Sequence, residues 1–110
     1  RWGARMRDEG LRLAYHHHDF EFAPLDGTTF WEILTAESDP ALVELEIDVY
    51  WAARAGRDPA ELIARHAPRV ALVHLKDLAP GGTADLPAGE GGLDWAAILA
   101  AARAAGAAWY

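Results

Sequence analysis

The sequence predicts an α/β fold in which parallel strands alternate with helices. Three apolar runs recur along the 110 residues, at 11–16, 42–48 and 70–75, with helix signals between them at intervals of roughly thirty residues. The third run is apolar almost throughout, which is typical of a strand covered on both faces of a parallel sheet. Periodicity alone leaves open whether the sheet is doubly wound or part of a barrel.

Local signals give the first elements in order. Residues 1–9 are predicted to be the last turns of a helix, which Gly10 closes. The first strand covers 11–16. Turn chemistry at 26–28 precedes a predicted helix over 29–37, where apolar residues recur at helical spacing.

The remaining elements repeat this alternation. An Asp-Pro pair at 58–59 predicts a helix start, with the aspartate as cap and the proline at the first helical position. Glycine and proline make the segment before the last helix a long loop, and such loops are usually functional. The predicted strands cover 42–48 and 70–75, and a further strand starts within 106–110. The predicted helices cover 59–66 and 94–103, and the long loop covers 79–92.

Composition indicates one globular domain over residues 1–110, which we expect to be incomplete and truncated at both ends. Apolar residues make up 52% of the chain, and cysteine is absent, which excludes disulfides and thiolate metal sites and favours the cytoplasm. The net charge of −7 argues against a nucleic-acid partner. No apolar run approaches the roughly 20 residues of a membrane helix.

Each predicted strand ends in residues that can bind a metal. His16-His17-His18-Asp19 follows the first strand, Asp48 ends the second, and His74-Leu75-Lys76-Asp77 follows the third. Because the carboxyl ends of parallel strands meet at one edge, we expect these side chains to gather there. Mixed nitrogen and oxygen ligands suit Mn, Fe, Co or Zn better than Ca or Mg.

Plainer interpretations exist for each of these residues. Asp48 could be a capping residue, and a lone histidine such as His74 is more often a rim side chain than a ligand. Lys76 faces the same side as His74 and could stabilise a developing oxyanion. Alternatively, Lys76 and Asp77 form a solvated pair in a surface loop.

The three consecutive histidines leave a choice of ligand. Strand alternation sends His16 and His18 to one face and His17 to the other. Either His16 or His18 could therefore bind the metal or act in catalysis, and Glu21 or Asp19 could orient a histidine ring.

Several motifs together resemble a known family. Tyr15-His16-His17-His18-Asp19-Phe20-Glu21-Phe22 is similar to the Tyr-His-Asn-His-Asp-Phe-Glu-Phe signature of the sugar phosphate isomerase/epimerase family of xylose-isomerase-like TIM barrels. The same family has counterparts of three further segments, in order and at matching spacing: 47–59, His74-Leu75-Lys76-Asp77 and 89–95. The Tyr-His-His-His run also resembles inosose dehydratase, a relative on the same fold.

The resemblance implies a fold and a metal site. The chain would be the C-terminal part of a TIM (β/α)8 barrel and would contain about strands five to eight of the eight. One divalent ion (Mn, Co, Zn, Fe or Mg) would be held by Asp48 and His74, by His18 or His16 in place of the usual strand-five glutamate, and by a glutamate beyond Tyr110.

The resemblance also implies a function. The expected activity is sugar or sugar phosphate isomerisation or epimerisation, by proton abstraction next to a carbonyl and stabilisation of the enediolate. His16, His18 and Lys76 are the expected catalytic residues, and Trp51, Lys76 and Glu90 the expected substrate-binding residues. The partner would be a small carbohydrate, and a homo-oligomer is compatible. The 110-residue chain alone is expected to be inactive and to associate through unpaired sheet edges.

Three alternatives remain open at this point. A keto-sugar or inosose dehydratase or lyase would share the enolisation step and differ in its leaving group. A degenerate barrel could serve as a non-catalytic binding module, although the retained metal-binding residue types argue against decay. A zinc endonuclease on the same fold is disfavoured by the acidic balance of the chain.

Overall fold

A computed structural model describes all 110 residues, with five helices and seven short strands. The helices are α1 (Trp2–Asp8), α2 (Phe30–Glu37), α3 (Val49–Arg54), α4 (Pro59–Arg65) and α5 (Trp95–Ala105). The strands are β1 (Ala14–His16), β2 (Pro24–Leu25), β3 (Thr28–Thr29), β4 (Glu44–Asp48), β5 (Val70–His74), β6 (Asp77–Leu78) and β7 (Asp85–Leu86). Two 3-10 turns cover Phe20–Phe22 and Ala67–Arg69.

The main sheet has three parallel strands in the order β1-β4-β5. Trp109 adds a parallel bridge to Leu72 on the free side of β5, where its carbonyl accepts a hydrogen bond from the Val73 amide at 3.0 Å. The chain therefore starts a further strand at this point. The prediction of parallel strands alternating with helices is confirmed.

The core lies between one face of this sheet and the helices. α4 packs against α5, and the two helices contact β4 and β5. Leu45 and Ile47 of β4 are fully buried, whereas Glu44 and Glu46 lie on the opposite face and are partly exposed. This alternation follows from the two-residue period of a strand. No helix of the structure is long and apolar enough to cross a bilayer.

Side-chain caps begin four of the helices. Thr29, Asp48, Asp58 and Asp94 each accept a hydrogen bond from the backbone amide three residues ahead, at 3.0–3.1 Å. These caps satisfy amides that a helix start would otherwise leave without partners. Gly106 closes α5 in the left-handed conformation, with φ of 77°.

The structure differs from the prediction in three places. Asp26 and Gly27, at φ of 46° and 84°, form the two-residue turn of a β2–β3 hairpin, where the sequence indicated only a turn. α3 follows β4 directly and was not predicted. The predicted loop over 79–92 contains β7, which pairs with β6. The strands are also shorter than predicted, and Leu11 is exposed outside the ladder.

Candidate functional site

Three of the predicted metal-binding residues meet at the carboxyl edge of the main sheet. His16 ends β1, Asp48 ends β4 and His74 ends β5, and the ladder pairs Asp48 directly with His74. Asp48 Oδ2 lies 3.2 Å from His16 Nε2 and 2.9 Å from His74 Nδ1. The two imidazole nitrogens are 3.2 Å apart. The three side chains form one group, which could hold a metal ion.

The chemistry and spacing of this group fit a divalent cation. Donor atoms about 2.1 Å from an ion, at tetrahedral or octahedral angles, lie about 3.0–3.4 Å from one another. The observed separations of 2.9–3.2 Å are close to this range. Electron-rich atoms at these distances repel one another unless a proton or a cation lies between them. Two imidazoles and one carboxylate suit a transition metal or zinc.

The protein holds Asp48 from both sides. Its carboxylate Oδ1 accepts the Trp51 amide at 3.0 Å, and its own amide donates to His17 Nε2 at 3.2 Å. Asp48 therefore caps α3 through Oδ1 and faces His16 and His74 through Oδ2 at the same time. Asp48 is fully buried, so its orientation is set before any ligand arrives.

His17 is a structural residue that sequence reasoning did not single out. Its ring is fully buried and packs edge-to-face against Phe22 and Trp31, at centroid distances of 5.1 and 5.0 Å. Nδ1 donates to the His18 carbonyl at 2.9 Å, which leaves Nε2 as the acceptor for Asp48. Burial lowers the pKa of the His17 imidazole and so favours this neutral form. The sequence signal that could have indicated a buried His17 is the presence of the apolar aromatic residues Phe22 and Trp31 soon after the three histidines.

Neither carboxylate suggested for orienting a histidine ring does so. Glu21 is fully buried and accepts the Tyr15 hydroxyl at 2.9 Å and the His18 backbone amide at 2.9 Å. Burial, followed by the hydrogen bond to Glu21, raises the pKa of Tyr15 to about 12. Asp19 instead pairs with Arg54 at 3.1 Å. Glu21 thus shapes the turn after β1.

The structure separates the two candidate histidines. His16 joins Asp48 and His74, whereas the His18 ring stacks on Phe20 at 5.8 Å and lies 5.3 Å from the Trp51 ring. The ring nitrogens of His18 have no hydrogen-bond partner. Its centroid is 5.0 Å from that of His16, so His18 borders the group without entering it.

Lys76 lies in an aromatic and acidic environment. Its Nζ is 4.7 Å from the Tyr50 ring centroid, 5.3 Å from that of Trp51 and 3.7 Å from Asp85 Oδ2. Aromatic faces attract an ammonium through their quadrupole. The structure thus brings together Lys76 and Trp51, two of the residues predicted to bind substrate.

The idea of a solvated Lys76–Asp77 pair is wrong. Asp77 is fully buried and accepts four hydrogen bonds, all from backbone amides or the Trp95 indole. The nearby segment at 89–93 supplies two of these donors, the Gly89 and Leu93 amides, from 12 and 16 positions along the chain, which local sequence could not reveal. Glu90, predicted to bind substrate, is exposed on this segment, and its carboxylate makes no hydrogen bond or ion pair.

Comparison with known proteins places this geometry in a family context. The family model described as xylose isomerase-like TIM barrel matches residues 3–110. A crystal structure of a sugar phosphate isomerase/epimerase from Parabacteroides distasonis superimposes with a TM-score of 0.85 at 27% identity, covering 98% of this chain and 39% of that protein. A second such structure from the same organism gives a TM-score of 0.81 at 25% identity, with 98% and 40% covered.

Curated relatives carry a different name. Inosose dehydratase from Bacillus anthracis is 36% identical over 76 residues, which covers 69% of this chain and 25% of the relative. Inosose dehydratase from Geobacillus kaustophilus is 42% identical over 71 residues, which covers 63% of this chain and 22% of the relative. The matched part of the chain thus spans about a quarter of the length of these curated relatives.

Proposed function

Because the chain belongs to the xylose isomerase-like TIM barrel family, we propose that it is part of a metal-dependent carbohydrate enzyme that abstracts a proton next to a carbonyl. The leading reaction is isomerisation or epimerisation of a sugar or sugar phosphate. One observation carries the proposal: the ligand atoms of His16, Asp48 and His74 lie 2.9–3.2 Å apart at the ends of adjacent parallel strands.

These three residues would hold one divalent ion, and a glutamate from a strand beyond Tyr110 would complete the set. When bound, the ion supplies Lewis acidity that polarises the substrate carbonyl and an adjacent hydroxyl. Asp48 supplies the negative charge of the group from a buried, doubly anchored position. Each of the two imidazoles would contribute one ring nitrogen.

Residues around the group are proposed to accept the proton that is removed from the substrate and to bind the substrate. His18 is the proposed base, since its ring borders His16 and both its nitrogens are free of hydrogen bonds. The Lys76 ammonium, held over two aromatic rings, stabilises negative charge on the substrate oxygen. Trp51 offers an apolar face to the sugar, and Glu90 binds its hydroxyls.

A dehydratase acting on a keto-inositol is the second candidate. Two curated relatives named inosose dehydratase are 36% identical over 76 residues and 42% identical over 71 residues of this chain. Both reactions begin with the same proton abstraction. They differ afterwards, because the dehydratase expels a hydroxyl from the carbon beyond the enolised one.

Metal content of the full-length protein tests the proposal. We expect one divalent ion per chain, and we expect Asp48→Ala and His74→Ala to weaken its binding by about tenfold to a hundredfold or more. Asp19→Ala is the matched control, since this carboxylate pairs with Arg54 outside the group. A full-length protein that binds no divalent ion would contradict the proposal.

Product analysis separates the two reactions. The metal-loaded protein is incubated in D2O with a panel of ketoses, ketose phosphates and keto-inositol. Deuterium incorporation with an isomeric product supports the isomerase or epimerase, and loss of water supports the dehydratase. Absence of both deuterium exchange and product across the panel would count against an enolising enzyme and favour the non-catalytic module.

A further inference from the structure

Asp77 is a buried carboxylate that the proposed mechanism does not use. It begins β6, beside the strand end that carries His74, and its side chain is shielded from solvent. Four N–H donors converge on its two oxygens, and no cation contacts it. The donors are the amides of Leu78, Gly89 and Leu93 and the indole of Trp95, at 2.8, 3.0, 3.1 and 2.6 Å.

The segment from Gly89 to Leu93 folds closely around this carboxylate. A Cβ at Gly91 would overlap the Asp77 carboxylate, so only glycine permits the observed approach. The Gly92 amide adds a hydrogen bond to the Leu78 carbonyl at 2.9 Å. The strand end therefore holds the segment through Asp77 and the Leu78 carbonyl, and the Glu90 amide adds a local hydrogen bond to the Pro87 carbonyl at 3.0 Å.

Asp77 is a strong acceptor at neutral pH. Burial alone would raise the pKa of its carboxyl, but the hydrogen bonds from the Trp95 indole and from backbone amides lower the pKa to about 2. Hydrogen bonds to an ionised acceptor are roughly twice as strong as neutral ones. The ionised side chain can thus order a segment that contains three glycines and has little conformational preference of its own.

We propose that Asp77 is a positioning residue that holds the Gly89–Leu93 segment at the carboxyl edge of the sheet, where the segment closes against bound carbohydrate. Asp77 does not touch the substrate, because it is buried beneath the segment. It acts through the exposed Glu90, the second residue of the segment. This inference rests on the proposed function for the identity of the ligand.

The test compares Asp77→Asn with the wild type in the full-length protein. Asparagine keeps the shape but removes the charge and turns an NH2 group toward the surrounding donors. We expect hydrogen exchange at the Gly89 and Leu93 amides to be about tenfold faster, because a charge-assisted hydrogen bond is lost at each. For the keto-sugar or keto-inositol that the wild type converts, we expect KM to rise about tenfold and kcat to change less than about threefold.

Two further variants make the comparison sharp. Asp26→Asn is the matched control, since Asp26 is exposed in the β2–β3 turn and makes no side-chain hydrogen bond. It should leave exchange at 89–93 and KM unchanged. Should Asp77→Asn fail to fold, Trp95→Phe keeps an aromatic ring at this position but removes the 2.6 Å hydrogen bond of the indole. We expect this variant to shift both measurements in the same direction by about threefold.

The outcomes separate this inference from the proposed function. Unchanged exchange at 89–93 in an active Asp77→Asn enzyme would overturn the inference alone. Faster exchange with an unchanged KM would show that the segment does not close on the carbohydrate. If the wild type converts no member of the panel, both the proposed function and the closure fail, while the exchange measurement still decides whether Asp77 holds the segment.

Discussion

His66, at the end of α4, couples a buried tryptophan to the protonation state of one imidazole. Its Nε2 accepts the Trp31 indole N–H at 3.2 Å, and the two rings meet edge-to-face at a centroid distance of 5.3 Å. Burial, followed by the positive charges of Arg69 and Arg65, lowers the pKa of His66. Protonation removes the acceptor, so the folded state prefers neutral His66.

We therefore expect stability to depend on pH through His66. Because its pKa is lower when folded, the unfolded chain binds more protons below pH about 6.5, and the free energy of unfolding falls as pH drops below that value. The contribution is fully present above this pH. Denaturant unfolding of the full-length protein at pH 7.5 and 5.5 measures the slope. The His66→Gln variant should lose part of it, and an unchanged slope would refute the assignment.

At the residue scale, the sequence predicts those members of the candidate site that stand at the end of a predicted strand. Asp48 and His74 stand directly after apolar runs, so their meeting at one edge follows from parallel strands alone. The choice between His16 and His18 was not predictable, because alternation sends both to the same face. The structural roles of His17 and Asp77 depend on partners distant in sequence.

At the element scale, helix starts follow from local chemistry. Asp94 caps α5 by accepting the Ala97 amide at 3.0 Å. We expect Asp94→Ala to lower the free energy of unfolding of the full-length protein by about 1 kcal/mol, and Asp94→Asn to change it by only a few tenths. Denaturant titration of both variants measures the difference. Equal losses in the two variants would show that the cap hydrogen bond is not the cause.

Short elements escaped prediction for a common physical reason. α3 has six residues, and each strand of the two hairpins has two. Segments this short bury too little apolar surface to show a period in the sequence, and they are marginal without tertiary contacts. The Tyr50 hydroxyl, for example, ties α3 to the β6–β7 turn by donating to the Thr83 carbonyl at 2.6 Å.

At the scale of the whole molecule, the sheet has free edges and a poorly covered face. β1 is paired on one side only, and Leu11 and Trp109 are exposed at 58% and 66% beside the two edges. Unpaired strands and exposed apolar residues favour association.

We expect the isolated 110-residue chain to associate in a concentration-dependent way. Sedimentation velocity over a hundredfold range of concentration, on the order of micromolar to 100 µM, measures it. The variants Leu11→Lys and Trp109→Lys should reduce association, because a charged side chain beside an edge disfavours pairing. The control Arg103→Lys changes an exposed residue of α5 and should have no effect. A chain that stays monomeric throughout would contradict the expectation.

The sequence by itself determined the parallel α/β alternation, the helix caps and the edge at which the chemistry gathers, because each follows from short-range periodicity and the geometry of parallel strands. Only the tertiary structure decided which histidine faces Asp48, how His17 fixes the Asp48 backbone and why Asp77 is buried. These outcomes depend on contacts between residues up to 58 positions apart, such as His16 with His74. Packing sets such contacts, and no local pattern encodes them.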